Sequence, residues 1–381
     1  MACARVWQGH TYFVEDGIEK NNLFKHNLGV LTRKCGSCIK SDTMPATFWM
    51  ASAENRWIDN VAAGSEATGY WFELPGKPLG PSASVSGVCP VKGHLGEFRG
   101  NSAHSNPAHG VRVYPAWHPL KNPCDPNSPT EPTYLYDFTA FKTGSQALFL
   151  KSIGDLHFVN NKFVASAWVN LVNLDVPFSD RPVLDHSLHV ATTRTDGSYN
   201  GLPSVMAPQN EHFYMRNATL VNYGRAGALA GCNKCASSSN MKQGGFTFRF
   251  SGMKFINSPR RTKWTAPYRQ IFHDLDGTLT GHSKGWVTPY RAWNMWDTVC
   301  EKPADVTTDS GSTISPYDGG IVCNGNVHMR RVSVDGANPM EMDWKRMIVS
   351  SDAGSGEELF YPKDTYGWVF VAADQRSYSV R

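Results

Sequence analysis

One short phrase recurs along this chain and restricts its fold more than any other feature. An apolar residue is followed three positions later by Asn or a substitute, then by a core-type residue and a small polar turn. Trp57-Ile-Asp-Asn60-Val-Ala62-Ala-Gly64 and Phe98-Arg-Gly-Asn101-Ser-Ala103-His-Ser105 carry it plainly. Phe158-Val-Asn-Asn161-Lys-Phe163 and Phe250-Ser-Gly-Met253-Lys-Phe255 follow the same outline, and Tyr214-Met-Arg-Asn217-Ala-Thr219 reads as a looser copy. Repeats of this length, each with one or two strands and a polar bend, suit a solenoid in which each coil pairs the open strand edge of the last. Asn at a bend can then hydrogen-bond to its counterpart in the next coil. The expected architecture is a parallel β-helix; the competing one is a β-sandwich with chance similarity.

The rest of the chain agrees with an all-β fold. No segment sustains a 3.6-residue apolar period over three turns. Short runs such as Thr47-Phe-Trp-Met50, Gly69-Tyr-Trp-Phe72, Gly110-Val-Arg-Val-Tyr114 and Ala147-Leu-Phe-Leu150 are each bounded by Gly, Asn, Ser or Pro, the signature of strands and turns. Only 18% of residues are charged while 12% are aromatic, which argues against a coiled coil or a disordered chain. A net charge of +4 gives no reason to expect a nucleic-acid partner, and no apolar run is long enough for a membrane span.

Two units are expected: a β-helix over residues 1–285, with loop insertions near 115–133 and 176–210, and a smaller C-terminal β-rich unit over 286–381. The alternating run Val327-His-Met-Arg-Arg-Val-Ser-Val334 suggests a half-exposed antiparallel sheet in the second unit.

Met1-Ala-Cys-Ala-Arg-Val-Trp7 lacks the apolar core of a secretion signal, yet nine cysteines, most of them in Gly/Ser/Pro-rich loops, suit an oxidising compartment. A piece of an extracellular or cell-surface protein reconciles the two. Cys35-Gly-Ser-Cys38 and Cys232-Asn-Lys-Cys235 read as local disulfides or cross-links between loops; a zinc site would need both pairs to meet, or nearby histidines. Cys300 and Cys323 look like a bridge. Asn217-Ala-Thr219 is an acceptor sequon for glycosylation. No cofactor is implied.

Three sets of residues invite chemistry. Asp274-Leu-Asp276-Gly-Thr278 matches the Asp-x-Asp-Gly-Thr of haloacid-dehalogenase-type phosphatases, but that chemistry needs alternating strands and helices; a tight turn in which Asp caps backbone amides is the simpler reading. His10, Glu15, Asp16 and His104 crowd the first third of the chain. On a β-helix, acids from successive coils can gather on one face, where a protonated carboxyl and a carboxylate flank a glycosidic bond; equally, Asp16-Gly17 can be a turn and His10 a core histidine. Trp71, Tyr114 and Trp117 could stack on sugar rings, with Arg112 pairing a uronate carboxylate, although most aromatics of a β-helix fill its interior.

Several phrases in shared order resemble one family. Gly9-His-Thr-Tyr-Phe-Val-Glu-Asp-Gly-Ile-Glu19, His26-Asn-Leu-Gly-Val-Leu31, Pro45-Ala-Thr-Phe-Trp49, Asn60-Val-Ala-Ala-Gly-Ser65, Asn101-Ser-Ala-His-Ser105 and His273-Asp-Leu-Asp-Gly-Thr278 are similar to the β-helix region of fibrocystin-L, the cell-migration-inducing hyaluronan-binding protein and the related transmembrane hyaluronidase. The resemblance implies a right-handed, pectin-lyase-like parallel β-helix within a longer extracellular or membrane-anchored polypeptide, entered here part-way along the coil. It also implies that Asp274-Leu-Asp276-Gly is a structural turn. Some relatives bind or depolymerise hyaluronan. The expected function is therefore an extracellular module that binds or acts on an acidic polysaccharide such as hyaluronan. If it is active, it hydrolyses by general acid/base chemistry with Glu15 or Asp16. The alternative is a non-catalytic interaction scaffold, and the phosphatase comes a distant third.

Overall fold

A computed structural model describes residues 3–5, 8–38, 40–165, 168–174, 181–192, 203–208, 213–224, 227–231, 247–263, 271–288, 300–308, 311–324, 329–333, 347–351, 357–360, 368–372 and 378–380. Successive short strands step around three parallel sheets, so that strands adjacent in space are three apart in the chain. The first sheet runs from Cys3–Arg5 through Leu28–Val30, Val61–Ala63 and Ser102–His104 to Lys254–Ile256. The second runs from Tyr12–Val14 through Ala46–Met50, Thr68–Phe72 and His109–Val113 to Thr262–Lys263. The third runs from Leu23–Lys25 through Arg56–Ile58, Glu97–Arg99, Thr133–Tyr136 and Leu156–Val159 to Ile271–Asp274. The chain is a parallel β-helix, as the repeats lead one to expect.

The recurring Asn does what the stacking demands. Asn101 Oδ1 accepts from both the backbone N–H and the Nδ2 of Asn60, at 3.0 Å each, and Asn60 Oδ1 receives the same pair from Asn27. The Nδ2 of Asn101 donates to Trp57 O at 2.8 Å, so a buried side chain satisfies bend amides that no strand can reach. One position earlier, the corner is left-handed in coil after coil: His26, Asp59, Gly100, Asp137, Asn160, His186, Asn217 and Gly252 have φ between 51° and 67°. At Gly100 a Cβ would lie 2.1 Å from Asp59 Oδ1, so glycine there relieves both strain and a clash. The expected Tyr214 copy is one residue out of register. Met215 pairs with Phe250, so Asn217 occupies the left-handed corner and Ala218 the ladder position. Asn tolerates that conformation, and this is why it imitates the ladder residue there.

Inside the coil, aromatic rings stack along its axis. Tyr12, Phe48 and Tyr70 lie parallel with centroids 4.6 and 4.7 Å apart, and the Tyr70 hydroxyl donates to Asn60 O at 2.8 Å. Each such buried ring contributes roughly 1.5–3 kcal/mol. Trp117, within the 115–133 insertion, enters this interior: it stacks on Phe72 at 4.7 Å and bridges to Ile153. The Cys89–Cys124 disulfide fastens the same insertion to the loop after Thr68–Phe72. Within 176–210, Leu184–Asp185, Leu188–Val190 and Val205–Met206 are strands of all three sheets, so that stretch contributes a coil rather than a loop alone.

Among the described strands, antiparallel pairing begins at Gly285–Thr288, which pairs with Ile271–Asp274 on one side and Ile321–Cys323 on the other. Met329–Ser333 pairs antiparallel with Trp368–Ala372, and Met347–Ser351 with Glu357–Phe360 and Tyr378–Val380. Where the parallel coil gives way, Asp274 and Asp276 form a turn. Asp274 accepts from the amides of Gly277, Leu279 and Thr280 at 3.0, 2.9 and 2.6 Å. Asp276 accepts from the amides of Gly252 and Thr278 at 2.6 and 3.1 Å. With each carboxylate absorbed in capping, and a strand rather than a helix following, the phosphatase reading loses its geometry.

Candidate functional site

Strand alternation sends Trp49, Trp71, Arg112 and Phe149 outward from the second sheet in one row, with Phe13 at its end. The backbone bonds Ala51 N to Val14 O, Glu73 N to Met50 O and Tyr114 N to Phe72 O set a second row beside it: Glu15, Ala51, Glu73, Tyr114. Arg112 is the centre of the face. Its guanidinium carbon lies 4.0 Å from the Trp71 ring centroid, 4.6 Å from Tyr114 and 5.8 Å from Phe149. Lys151 Nζ sits 4.6 Å from the same Tyr114 ring.

The electrostatics are unusual for a structural surface. Burial lowers the Arg112 pKa, with Glu73 opposing, and raises that of Glu73, with Arg112 opposing. Yet the two make no ion pair, and among the described residues Arg112 has no oxygen acceptor: Nη1 touches Met44 Sδ and Nε is buried without a partner. The Glu73 carboxylate likewise accepts no hydrogen bond among the described residues. Two half-buried opposite charges without an ionic partner among the described residues mark this face as a candidate binding site. Sequence reading missed Glu73; its place two residues after the outward Trp71 is the signal that could have found it.

His10 closes the far end of the face. It stacks beside Trp49 and Phe13 at 4.1 and 5.3 Å, its Nδ1 accepts from Ala46 N at 3.0 Å, and its Nε2 lies 3.2 Å from Asp42 Oδ1. Its side chain is only 2% exposed, and burial lowers its pKa to about 4, so it is neutral and held in place. His109, another outward residue of this sheet, is lowered to about 3 by burial.

The remaining sequence candidates disperse. Glu15 is exposed at the head of the second row. Asp16 turns away: its Oδ2 accepts from Ser82 Oγ at 2.6 Å and its carbonyl from Leu79 N at 2.9 Å. Glu19 caps that turn by accepting from the amides of Glu15, Asp16 and Gly17. His104 lies on the first sheet, stacked on Phe141 at 4.4 Å. Trp117 is fully buried, with Nε1 donating to Gly93 O. It cannot stack on a ligand, because the insertion that carries it folds inward. Trp71 is nearly buried and acts from beneath, by holding Arg112.

Cys35 is bonded to Cys38 and Cys300 to Cys323; Cys232 and Cys235 lie outside the described residues. The Cys89–Cys124 bond went unforeseen, since spacing alone does not give connectivity. Asn217 is exposed, with Nδ2 3.3 Å from Asp185 Oδ1. Among the described residues no group of His, Cys, Asp and Glu is arranged to hold a metal, and no helix is long and apolar enough to cross a membrane.

Residues 6–111 match the CEMIP beta-helix family model; the match includes Trp49, Trp71 and Glu73 and ends one residue before Arg112. Fibrocystin-L of Mus musculus is 23% identical over 368 residues, 93% of this chain but 8% of that protein. The cell migration-inducing and hyaluronan-binding protein of Mus musculus is 33% identical over 39% of this chain and 14% of its own length. The cell surface hyaluronidase CEMIP2 of Homo sapiens is 36% identical over 26% of this chain and 9% of its own. The chain thus spans less than a tenth of fibrocystin-L. Residues 6–111 thus carry a CEMIP-type β-helix segment, and the chain is similar to fibrocystin-L and fibrocystin over most of its length and to the other two proteins named above over shorter stretches.

Proposed function

We propose that the outer face of the second sheet binds an acidic polysaccharide of the hyaluronan type in an extracellular or cell-surface setting. The observation that carries this reading is Arg112, clamped over Trp71 and Tyr114 and without an oxygen acceptor among the described residues. A uronate carboxylate would supply that acceptor as a charge-assisted pair. Lys151 stands ready for the next charge, and Phe13, 39% exposed, offers an apolar surface to a sugar ring. The names of two relatives point to hyaluronan. The three disulfides among the described residues support the oxidising compartment, and the separate antiparallel sheets of Met329–Ser333 with Trp368–Ala372 and of Met347–Ser351 with its neighbours support a second unit over 286–381.

Hydrolysis on the same face is a second reading, favoured by Glu73. Burial holds its proton to higher pH than an ordinary carboxyl, as a general acid needs. Glu15 lies two rungs away in the same row, about 9.5 Å at the usual strand spacing, near the upper end of the separation for an inverting pair. Glu73 would protonate the leaving glycosidic oxygen while Glu15 takes the proton of the attacking water. Incubation with hyaluronan, followed by co-sedimentation and sizing of the polymer, tests both readings. Retention without shortening supports binding alone, shortening that Glu73→Gln abolishes supports hydrolysis, and neither retention nor shortening refutes both.

A further inference from the structure

The third sheet carries a different feature that the acidic-polysaccharide reading leaves unused. In Thr133–Tyr136 the residues alternate buried and exposed, and Tyr134 and Tyr136 present 39% and 40% of their surface. Their rings are near-parallel, at 15°, with centroids 6.0 Å apart. On the side of the next coil, His157 stacks on Tyr134 at 4.9 Å. His157 is itself rigid: Nε2 lies 2.7 Å from Asp155 Oδ1 and Nδ1 2.8 Å from Pro182 O. The covered face of Tyr134 therefore looks toward Leu156–Val159, and its free face looks toward Glu97–Arg99.

On that free side the coil is open. Thr133–Tyr136 pairs with Leu156–Val159 at four positions, but with Glu97–Arg99 only at Tyr136 and Arg99. The 115–133 insertion enters here, and the two coils part to leave a groove of about 470 Å³ lined by Leu95, Glu97, Arg99, Glu131, Tyr134 and Tyr136. Two aromatic faces along a polar groove, spaced like successive rings of an extended sugar chain, fit a glycan laid along the strand.

The charges select its type. Glu97 is saturated by Arg56 and Arg99, at 2.9 and 3.0 Å. The Glu131 carboxylate and both tyrosine hydroxyls have no hydrogen-bond partner among the described residues. Arg56 and Arg99 balance Glu97 and Glu131, so the groove offers no net charge to a uronate, while the Glu131 carboxylate and the two hydroxyls can hydrogen-bond to sugar hydroxyls. We propose that this groove binds a neutral glycan chain, so that the β-helix carries two saccharide sites on different sheets, one for an acidic and one for a neutral chain.

Titration with a neutral β-linked glucose hexasaccharide and, separately, a hyaluronan hexasaccharide tests this, followed by NMR or calorimetry on the folded chain. The neutral sugar is expected to bind saturably, about tenfold more weakly after Tyr134→Ala or Tyr136→Ala, and unchanged after Arg112→Ala. Both tyrosines are exposed, and an unchanged melting curve shows that each variant is folded; Tyr134→Phe, which keeps the platform, should retain most of the binding. Absence of neutral-sugar binding at millimolar concentration, or equal binding by wild type and both alanine variants, overturns the proposal without touching the Arg112 site. Loss of neutral-sugar binding in Arg112→Ala would also overturn it, by placing both ligands on one face.

Discussion

Asn101 Oδ1 serves two donors of Asn60 at once, the backbone N–H and Nδ2, in a fully buried bend between consecutive coils. Replacing Asn101 with Ala strands both donors and the Trp57 carbonyl. Each unsatisfied buried group costs about 1–3 kcal/mol, so the variant should lose roughly 2–4 kcal/mol once relaxation is allowed for. Asn101→Asp retains the acceptor but turns an oxygen toward the Trp57 carbonyl in a fully buried bend, so it should be destabilised as well. Urea unfolding of the three proteins measures this; equal stability would deny the ladder its role.

His189 is buried between Ser187 Oγ, 2.8 Å from Nε2, and Ser204 Oγ, 2.5 Å from Nδ1. Burial lowers its pKa from 6.5 to about 3. The unfolded chain therefore binds a proton between those values that the native state refuses. No penalty exists above pH 6.5; below it, stability falls as pH falls toward 3. His109, lowered to about 3, and His10, lowered to about 4, act in the same sense. Unfolding midpoints should stay nearly level from pH 7.5 to about 6.5 and then drop toward pH 5, less steeply in His189→Gln. A flat profile for the native sequence contradicts this.

The Cys89–Cys124 bond closes a separation of 35 residues. On the chain-entropy model such a loop is worth about 4 kcal/mol as an upper figure. The double Cys→Ser variant should unfold at lower denaturant. It should also bind the neutral hexasaccharide more weakly, because the insertion shapes the groove beside Tyr134. Unfolding curves and the same titration report both effects; no change in either would leave the bond without a structural role.

Asn217 offers its sequon from an exposed corner. Secretory expression should yield a glycan there, seen as a mass shift removed by Asn217→Gln. An unmodified chain from such a host would count against an extracellular setting.

The coil was legible in sequence because stacking forces the same residue type to the same corner, as at Asn60, Asn101 and Asn161. The copy at Tyr214 slipped by one because Asn suits both the ladder and the left-handed corner before it. Trp71, Arg112 and Tyr114 could be singled out from a strand's alternation, but alternation does not say which phase faces out when an insertion rejoins the coil, and Trp117 turned inward. Glu73 was missed because its meaning depends on Arg112, 39 positions later. Likewise, nothing local to Tyr134 and Tyr136 reveals that the coils part beside them.

Binding of an acidic polysaccharide by the second sheet depends most on Arg112. Calorimetric titration of hyaluronan oligosaccharides into the native chain and Arg112→Ala, at matched salt, tests it directly. A charge-assisted hydrogen-bonded pair worth about 1.5–3 kcal/mol predicts affinity lower by roughly ten- to a hundredfold in the variant, with its melting curve unchanged. Equal affinity in the two proteins would contradict a role for Arg112 in holding the polysaccharide.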